Sequence, residues 1–507
     1  MIISNFFFLL MKRLGCICIL LVSFIALWAQ EHSPKHEFRG VWVPTVYNNY
    51  YRELSVEQLK DTLVKQLDAY ANMGINTIIY QVRPEGDALY ASSLEPWSRF
   101  LTGEQGVAPE EDFDPMAFLI QECHKRCMEF HAWINPYRAN TNKKNKLTED
   151  NRYYSNRYLY VSYGNQLLFN PGFPQNREHI VSVVKDIVSR YDIDALHMDD
   201  YFYPYPIHGL KFQDISTYKR YAEADGFSTN NELAAWRRNN VNLLVKQLSD
   251  IIKATKPWVR FGISPFGIYR NKAQDETGSE TKGLSNYDDL YADTQLWINE
   301  GWIDYVIPQL YWEIGHPAAD YSTLLYWWRE NKGLHTQLYI GQSVDRSINQ
   351  IQKKLDLTLG DSRIGGNCFF TGDNLLTNKN GMRDTLTTLY YSQPALAPRF
   401  EQIDSIAPNR PHKVYMDLMG EEPLLKWDVV EGKKETDKVW YYAVYAFDPS
   451  LPIDITDMSK LICLTTEKQC PLPQGEDIQP LCLQYVVTAI DRLHNESDPS
   501  KAYLHQE

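Results

Sequence analysis

The run Asp194-Ala195-Leu196-His197-Met198-Asp199-Asp200-Tyr201-Phe202-Tyr203-Pro204 sets two carboxylates at the end of a short apolar segment. Read as a strand, its side chains alternate, so Ala195, His197 and Asp199 share one face while Leu196 and Met198 share the other. Leu196 and Met198 suit a layer of helices, which sends Asp199 to the opposite side. Asp200 has the other parity and either orients the following loop or joins Asp199 where the strand bends. A helix cap or a calcium ligand is the plainer reading of such a pair, but adjacent acids among aromatics favour a reactive site. A second run, Val306-Ile307-Pro308-Gln309-Leu310-Tyr311-Trp312-Glu313, puts Gln309, Tyr311 and Glu313 on one parity. Asp199 and Glu313 are thus a candidate pair for splitting a glycosidic bond, which needs carboxyl groups ~5 to 5.5 Å apart for retention or ~6.5 to 9.5 Å for inversion. For Glu313 the plainer reading is a salt bridge to a loop arginine. Two further clusters, Gln81-Val82-Arg83-Pro84-Glu85-Gly86-Asp87 and Trp133-Ile134-Asn135-Pro136-Tyr137-Arg138, are rich in hydrogen-bonding groups. Arg83, Asn135 and Arg138 are natural donors to sugar hydroxyls or carboxylates; alternatively they form a buried network that braces the acids.

Such residues need a frame, and the chain supplies one by alternating short apolar runs with longer amphipathic ones. The expected strands are Phe38 to Val43, Thr77 to Val82, Phe130 to Ile134, Ala195 to Met198, Arg260 to Ile263, Tyr305 to Gln309, Gln337 to Ile340 and Gly366 to Phe370. Helical stretches lie between them. One opens at Ser55 with Gln58 three positions on, a capping box, and another at Asp114 with Pro115 in the first turn. Strand–helix pairs of this number predict an α/β fold, a (β/α)8 TIM barrel over residues 30–393. Long insertions follow strands 2 to 5, on the side where such a barrel keeps its chemistry. Pro398, Pro408 and Pro411 mark a linker over 394–411. Alternating runs beyond it, such as Tyr485 to Asp491, predict a small all-β sandwich over 412–507.

Composition narrows the function classes. The chain has 507 residues, 44% hydrophobic and 23% charged, which excludes collagen-like, mucin-like and wholly disordered readings. A net charge of −13 without a basic stripe argues against nucleic acid as a partner. Aromatic residues are plentiful at 13%, which suits both sugar stacking and a large core. The chain has no GxSxG elbow, P-loop, HExxH or GxGxxG, and His131, His197 and His316 are scattered, so no metal and no cofactor is expected. Of the cysteines, one bridge among Cys463, Cys470 and Cys482 is the only pairing suggested. Met11-Lys12-Arg13, the apolar run Leu14 to Leu27 and the small exit at Ala29 read as an export signal over residues 1–29. Cleavage would leave no membrane span, and the mature protein would lie in the periplasm or at the cell surface of a bacterium. Oligomeric state is not legible.

Six motifs arrive in order: Glu37-Phe38-Arg39-Gly40-Val41-Trp42-Val43, Gln81-Val82-Arg83-Pro84, His131-Ala132-Trp133-Ile134-Asn135-Pro136-Tyr137-Arg138, His197-Met198-Asp199-Asp200-Tyr201-Phe202-Tyr203-Pro204, Gly262-Ile263-Ser264-Pro265-Phe266-Gly267 and Pro308-Gln309-Leu310-Tyr311-Trp312-Glu313. Together they resemble the glycosyl-hydrolase-like family 10 of exported bacterial proteins, over about Glu37 to Leu389. The C-terminal run Tyr485 to Asp498 is similar to the last strands of a fibronectin type III module. The resemblance implies a TIM barrel acting on a polysaccharide or oligosaccharide, with bacterial cell-wall glycan a leading class. It also resembles the wider amylase-like superfamily in its strand-4 aspartate, although His197 stands where an arginine is usual. On this reading Asp199 is nucleophile or base, Glu313 the general acid among Tyr311 and Trp312, and Asp200 a supporting acid. Arg83, Glu85, Asn135, Tyr137, Arg138, His197, Tyr201, Gln309, Tyr311 and Trp312 are expected to bind and orient the glycan. The alternative is a noncatalytic glycan-binding protein on a hydrolase scaffold. The C-terminal module is expected to be a spacer or an adhesion unit.

Overall fold

Eight parallel staves close into a barrel in the computed structural model, which describes residues 34–505 apart from 49, 347, 420–421 and 473–482. The expected export signal over 1–29 and Cys482 lie outside the described residues. In chain order the strands are β1 (Phe38–Val43), β2 (Thr77–Arg83), β3 (Glu129–Ile134), β4 (Arg138–Asn140), β5 (Tyr160–Tyr163), β6 (Gln166–Phe169), β7 (Ala195–Met198), β8 (Arg260–Ile263), β9 (Tyr305–Val306), β10 (Gln337–Leu338), β11 (Ile340–Ser343) and β12 (Gly366–Phe370). The barrel ladder runs β10-β9-β8-β7-β3-β2-β1-β12-β11. β10 and β11 are two halves of one stave, interrupted at Tyr339. The first half pairs with β9 and the second with β12, and a bridge from Gln309 to Gly341 completes the ring. The stave expected over Tyr305 to Gln309 is a continuous ladder through Val306 and resumes past Pro308, which has no N–H to give, as bridges from Gln309 to both neighbouring staves.

Alternation along the staves sorts the side chains. Phe38, Trp42, Ile79, Trp133, Tyr305 and Tyr339 fill the interior, whereas Ile78, Phe130, Leu196, Met198 and Ile263 pack outward among the helices. The first helix, Val56–Asn72, opens on the capping box expected at Ser55 and Gln58. Asp114 caps Pro115–Lys125 as expected. Between β8 and β9 lie two short helices, Asn286–Asp289 and Thr294–Asn299, the second started by Asp293 as cap. The insertion after β3 folds into a small antiparallel sheet, β4-β6-β5, over the mouth.

The C-terminal strands are β13 (His412–Asp417), β14 (Leu424–Asp428), β15 (Tyr441–Phe447), β16 (Leu461–Thr465), β17 (Gln469–Pro471), β18 (Leu483–Ile490) and β19 (Tyr503–His505). They form two antiparallel sheets, β13-β14-β17 and β16-β15-β18-β19, around a shared core that includes Leu425, Trp427, Tyr442, Val444 and Val487. The other face of the larger sheet is also buried: Tyr441, Tyr445 and Val486 pack with Leu396 and Cys127 from the barrel side. Leu396 pairs with the chain entering β1 through Glu37, and Ala395, Leu396, Ala397 and Phe400 are buried. The first half of the stretch expected as a linker is therefore part of the interface. The turn after β18 carries Leu493 into the barrel's own interior cluster, alongside Phe400, and plugs its base.

Candidate active site

Asp199 and Asp200 follow β7 directly, at the C-terminal mouth of the barrel, and both are buried. The parity of β7 carries Asp199 inward above His197. There its Oδ2 accepts from the Trp133 indole at 3.1 Å and from the Asn135 amide, and its Oδ1 accepts from the Tyr201 N–H at 3.2 Å. Burial raises its pKa, opposed by the Arg138 guanidinium and by those donors. Three N–H donors on one carboxyl group fit an anion. Asp200 has a different environment. Burial, then the charge of Asp199, push its pKa up to about 7, against hydrogen bonds from the Tyr205 hydroxyl and Gln309. Two adjacent acids thus sit in surroundings that separate their proton affinities, the pattern that divides base from acid.

Each donor is held in turn. Asn135 is fixed by Gln81, whose Nε2 donates to Asn135 Oδ1 at 2.6 Å, and Gln81 is fixed by the Thr45 N–H at 2.8 Å. Arg138 lies over the Tyr201 ring at 4.6 Å and donates to Asn135 Oδ1 and to the Pro84 carbonyl. Gln309 also donates to the Ser264 carbonyl at 3.0 Å. Around the acids runs an arc of rings in edge contact: Tyr201 to Tyr205 at 5.6 Å, Tyr205 to Phe266 at 6.0 Å and Phe266 to Trp312 at 5.2 Å. Across the mouth Tyr311 stacks on Phe370 at 6.1 Å. Half-exposed rings beside a buried acid pair suit the apolar faces of sugar rings. Among the described residues no group of three or more His, Cys, Asp or Glu is placed to hold a metal ion.

Residues 37–357 match the model of the family described as glycosyl hydrolase-like 10. The chain is 43% identical over 484 residues to glycosyl hydrolase YngK of Bacillus subtilis (strain 168), covering 92% of each chain. The chain belongs to this family. It is accordingly a glycoside hydrolase. It is also 35% identical over 383 residues to glycosyl hydrolase DigH of Escherichia coli (strain K12), covering 68% of this chain and 85% of that one. The catalytic domain of beta-amylase from Paenibacillus polymyxa superposes with a TM-score of 0.47 at 11% identity, over 71% of this chain and 100% of that one.

In this member of the family the mouth gathers Asp199, Asp200, Asn135, Arg138, Tyr201, Gln309, Tyr311 and Trp312. Glu313 stands apart. It is exposed rather than enclosed by Tyr311 and Trp312, and the charge it faces is Lys354. Arg83 is fully buried and grips Glu95 with two nitrogens and the Asn135 carbonyl with a third. Glu85 is equally buried, paired with Arg99 at 2.8 Å and accepting from the Thr141 N–H. Both brace the loops instead of facing a sugar. Tyr137 turns into the outer hydrophobic core. His197 is fully buried beneath the acids and touches Trp42, Ser264 and Tyr305. Trp42, Trp133 and Phe370, which the sequence reading left out of the site, lie on the inward parity of β1, β3 and β12, so the alternation used for β7 finds them. Tyr205 lies in a loop with no such signal.

Proposed function

We propose that this protein is an exported hydrolase of a polysaccharide, with bacterial cell-wall glycan as the substrate class, and that Asp199 and Asp200 are its working pair. Asp199, held as an anion by three N–H donors, attacks the anomeric carbon or activates water. Asp200, holding its proton near neutral pH, gives it to the departing glycosidic oxygen. The observation that carries the reading is the unequal solvation of two adjacent carboxyl groups: one faces indole, amide and backbone N–H groups, the other a tyrosine hydroxyl, the Gln309 amide and its charged neighbour. The aromatic arc supports a chain of sugars as substrate. The resemblance to a family of exported bacterial proteins, and the export signal expected at the N-terminus, support action outside the cytoplasm. Among the described residues no helix is long and apolar enough to cross a membrane.

The test is product release from peptide-free peptidoglycan strands and from neutral and acidic polysaccharides, comparing the wild type with Asp199→Asn, Asp200→Asn and Glu313→Gln. Loss of roughly 10²–10⁴ in rate is expected for Asp200→Asn, the range of a general acid, and at least as much for Asp199→Asn. Glu313→Gln should keep most of the activity. Loss in Glu313→Gln with retention in Asp200→Asn would return the acid role to Glu313. Binding without release on every substrate would support the noncatalytic alternative.

A further inference from the structure

A column of buried polar groups runs down the barrel axis from the mouth to the base. Trp42 Nε1 lies 3.2 Å and Ser264 Oγ 3.1 Å from His197 Nε2. His197 Nδ1 lies 3.1 Å from the Tyr305 hydroxyl, which lies 2.9 Å from His131 Nδ1. His131 Nε2 lies 2.8 Å from Glu129 Oε2. Gly262 makes the column possible, because a Cβ there would stand 1.9 Å from the Tyr305 ring. At the base Glu129 Oε1 meets Arg260 from β8 and His494 from the C-terminal module. His494 has a left-handed backbone, φ 61°, in a turn tied by Asp491 Oδ1 to the N–H groups of Leu493 and Asn495.

We propose that Glu129 is a positioning residue for the active site: as an anion held by Arg260 and His494, it dictates one direction of hydrogen bonding up the column and so fixes the lone pair that His197 presents beneath the acid pair. The order follows from donor arithmetic. A carboxylate only accepts, so His131 Nε2 carries its proton and Nδ1 does not. The Tyr305 hydroxyl must then donate to His131, leaving its oxygen to accept from His197 Nδ1–H. His197 Nε2 is therefore bare, and its one lone pair is shared between the Trp42 indole N–H and the Ser264 hydroxyl. Arg260 and His494 hold Glu129 far toward its anionic form, while burial keeps both column histidines neutral. The upper end reaches the reaction through Ser264, whose carbonyl holds the Gln309 amide against Asp200.

Glu129→Gln keeps the shape and reverses the order. Its oxygen stays with Arg260 and His494, and its amide donates to His131 Nε2. Every proton above then flips, and His197 turns an N–H toward the N–H of Trp42. The tautomers are read from the ring ¹⁵N shifts of full-length protein labelled with ¹⁵N-histidine. In the wild type His131 is expected as Nε2–H and His197 as Nδ1–H; in Glu129→Gln both exchange. Tyr305→Phe cuts the column without touching its base: His131 keeps its tautomer, and the Trp42 N–H alone keeps His197 Nε2 bare. An unchanged His197 in Glu129→Gln overturns the proposal, and so does an exchanged His131 in Tyr305→Phe, which keeps it falsifiable if Glu129→Gln does not fold. The kinetic consequence rests on the Asp199–Asp200 reading. On a substrate the wild type cleaves, Glu129→Gln should lower kcat at least tenfold with KM within twofold, and a flipped column with wild-type kcat overturns the positioning role. Because tautomers are read without substrate, failure of the column and failure of the hydrolase reading are distinguishable.

Discussion

Asp200 and Asp199 need opposite protonation states at the same pH: burial raises both carboxyls, Asp200 to about 7, while the Arg138 guanidinium and three N–H donors oppose the rise at Asp199. Asp200 must hold its proton to act as acid, so kcat/KM should fall as pH rises through about 7, where its carboxyl ionises. Asp199 must be ionised, which sets the acid limb of the profile. Arg138 lowers the pKa of Asp199, so Arg138→Met should move that limb to higher pH while leaving the alkaline limb in place. A profile in which the alkaline limb moves instead would separate Arg138 from Asp199. The same groups affect stability. Asp200 binds its proton more tightly folded than unfolded, so its contribution is complete below about pH 4 and is lost as pH rises through about 7. Asp200→Asn removes a buried charge beside a like charge, and at pH 8 it should stabilise the fold by roughly 1–4 kcal/mol while it slows turnover. Thermal melts at pH 5 and pH 8 would check the sign: the gain belongs at pH 8.

The elements that carry the site divide by how regular they are. Trp312 closes the aromatic arc by its edge contact with Phe266, and it lies beyond the acids rather than on them. Trp312→Ala should therefore raise KM for an oligosaccharide roughly tenfold, the worth of about 1–1.5 kcal/mol of aromatic contact, with kcat changed much less; a kcat defect with unchanged KM would place Trp312 at the reacting centre. Where a stave is regular, the sequence is readable: alternation along β7 places Ala195 and His197 inward and Leu196 and Met198 outward, as the structure has them. The rule fails where the ladder stops. Pro308 interrupts the ladder of β9 after Val306, and by Glu313 the backbone no longer keeps a parity, so the residue expected opposite Asp199 faces Lys354 instead. Arg83 and Glu85 mislead for a different reason. Their partners lie 12 and 14 residues on, Glu95 in a loop and Arg99 at the start of a short helix, and nothing in local spacing tells a buried ion pair from a sugar contact. Tyr205 reaches Asp200 only because the loop after β7 folds back on it.

At the scale of the whole molecule, the C-terminal module is a plug as much as a sandwich. A spacer would meet the barrel through an exposed tether, yet here Leu493 and Phe400 are buried in the barrel's own interior cluster. The Phe400 ring lies 4.8 Å beneath the Arg260 guanidinium, and Arg492 pairs with Asp192 at 2.6 Å on the rim. Full burial of two such side chains is worth roughly 1.5–3 kcal/mol each. Together that is a large share of the 5–15 kcal/mol that holds an ordinary domain. Removing the module would also expose the underside of Phe38, Tyr305 and Tyr339 and take one partner from Glu129. A barrel ending at residue 393 should thus be poorly soluble or melt far below the full chain. The cleaner test leaves every residue present. Ile406 is exposed, so a protease site placed between it and Arg410 can be cut in the folded protein. The two halves should then co-elute on gel filtration, keep close to the uncut melting temperature and keep the activity. Halves that separate while the barrel stays folded and active would mean that the buried turn adds little and that the module is a passenger. Co-elution would mean that the barrel is completed from outside its own repeat, by a segment that follows it in sequence and closes it from below.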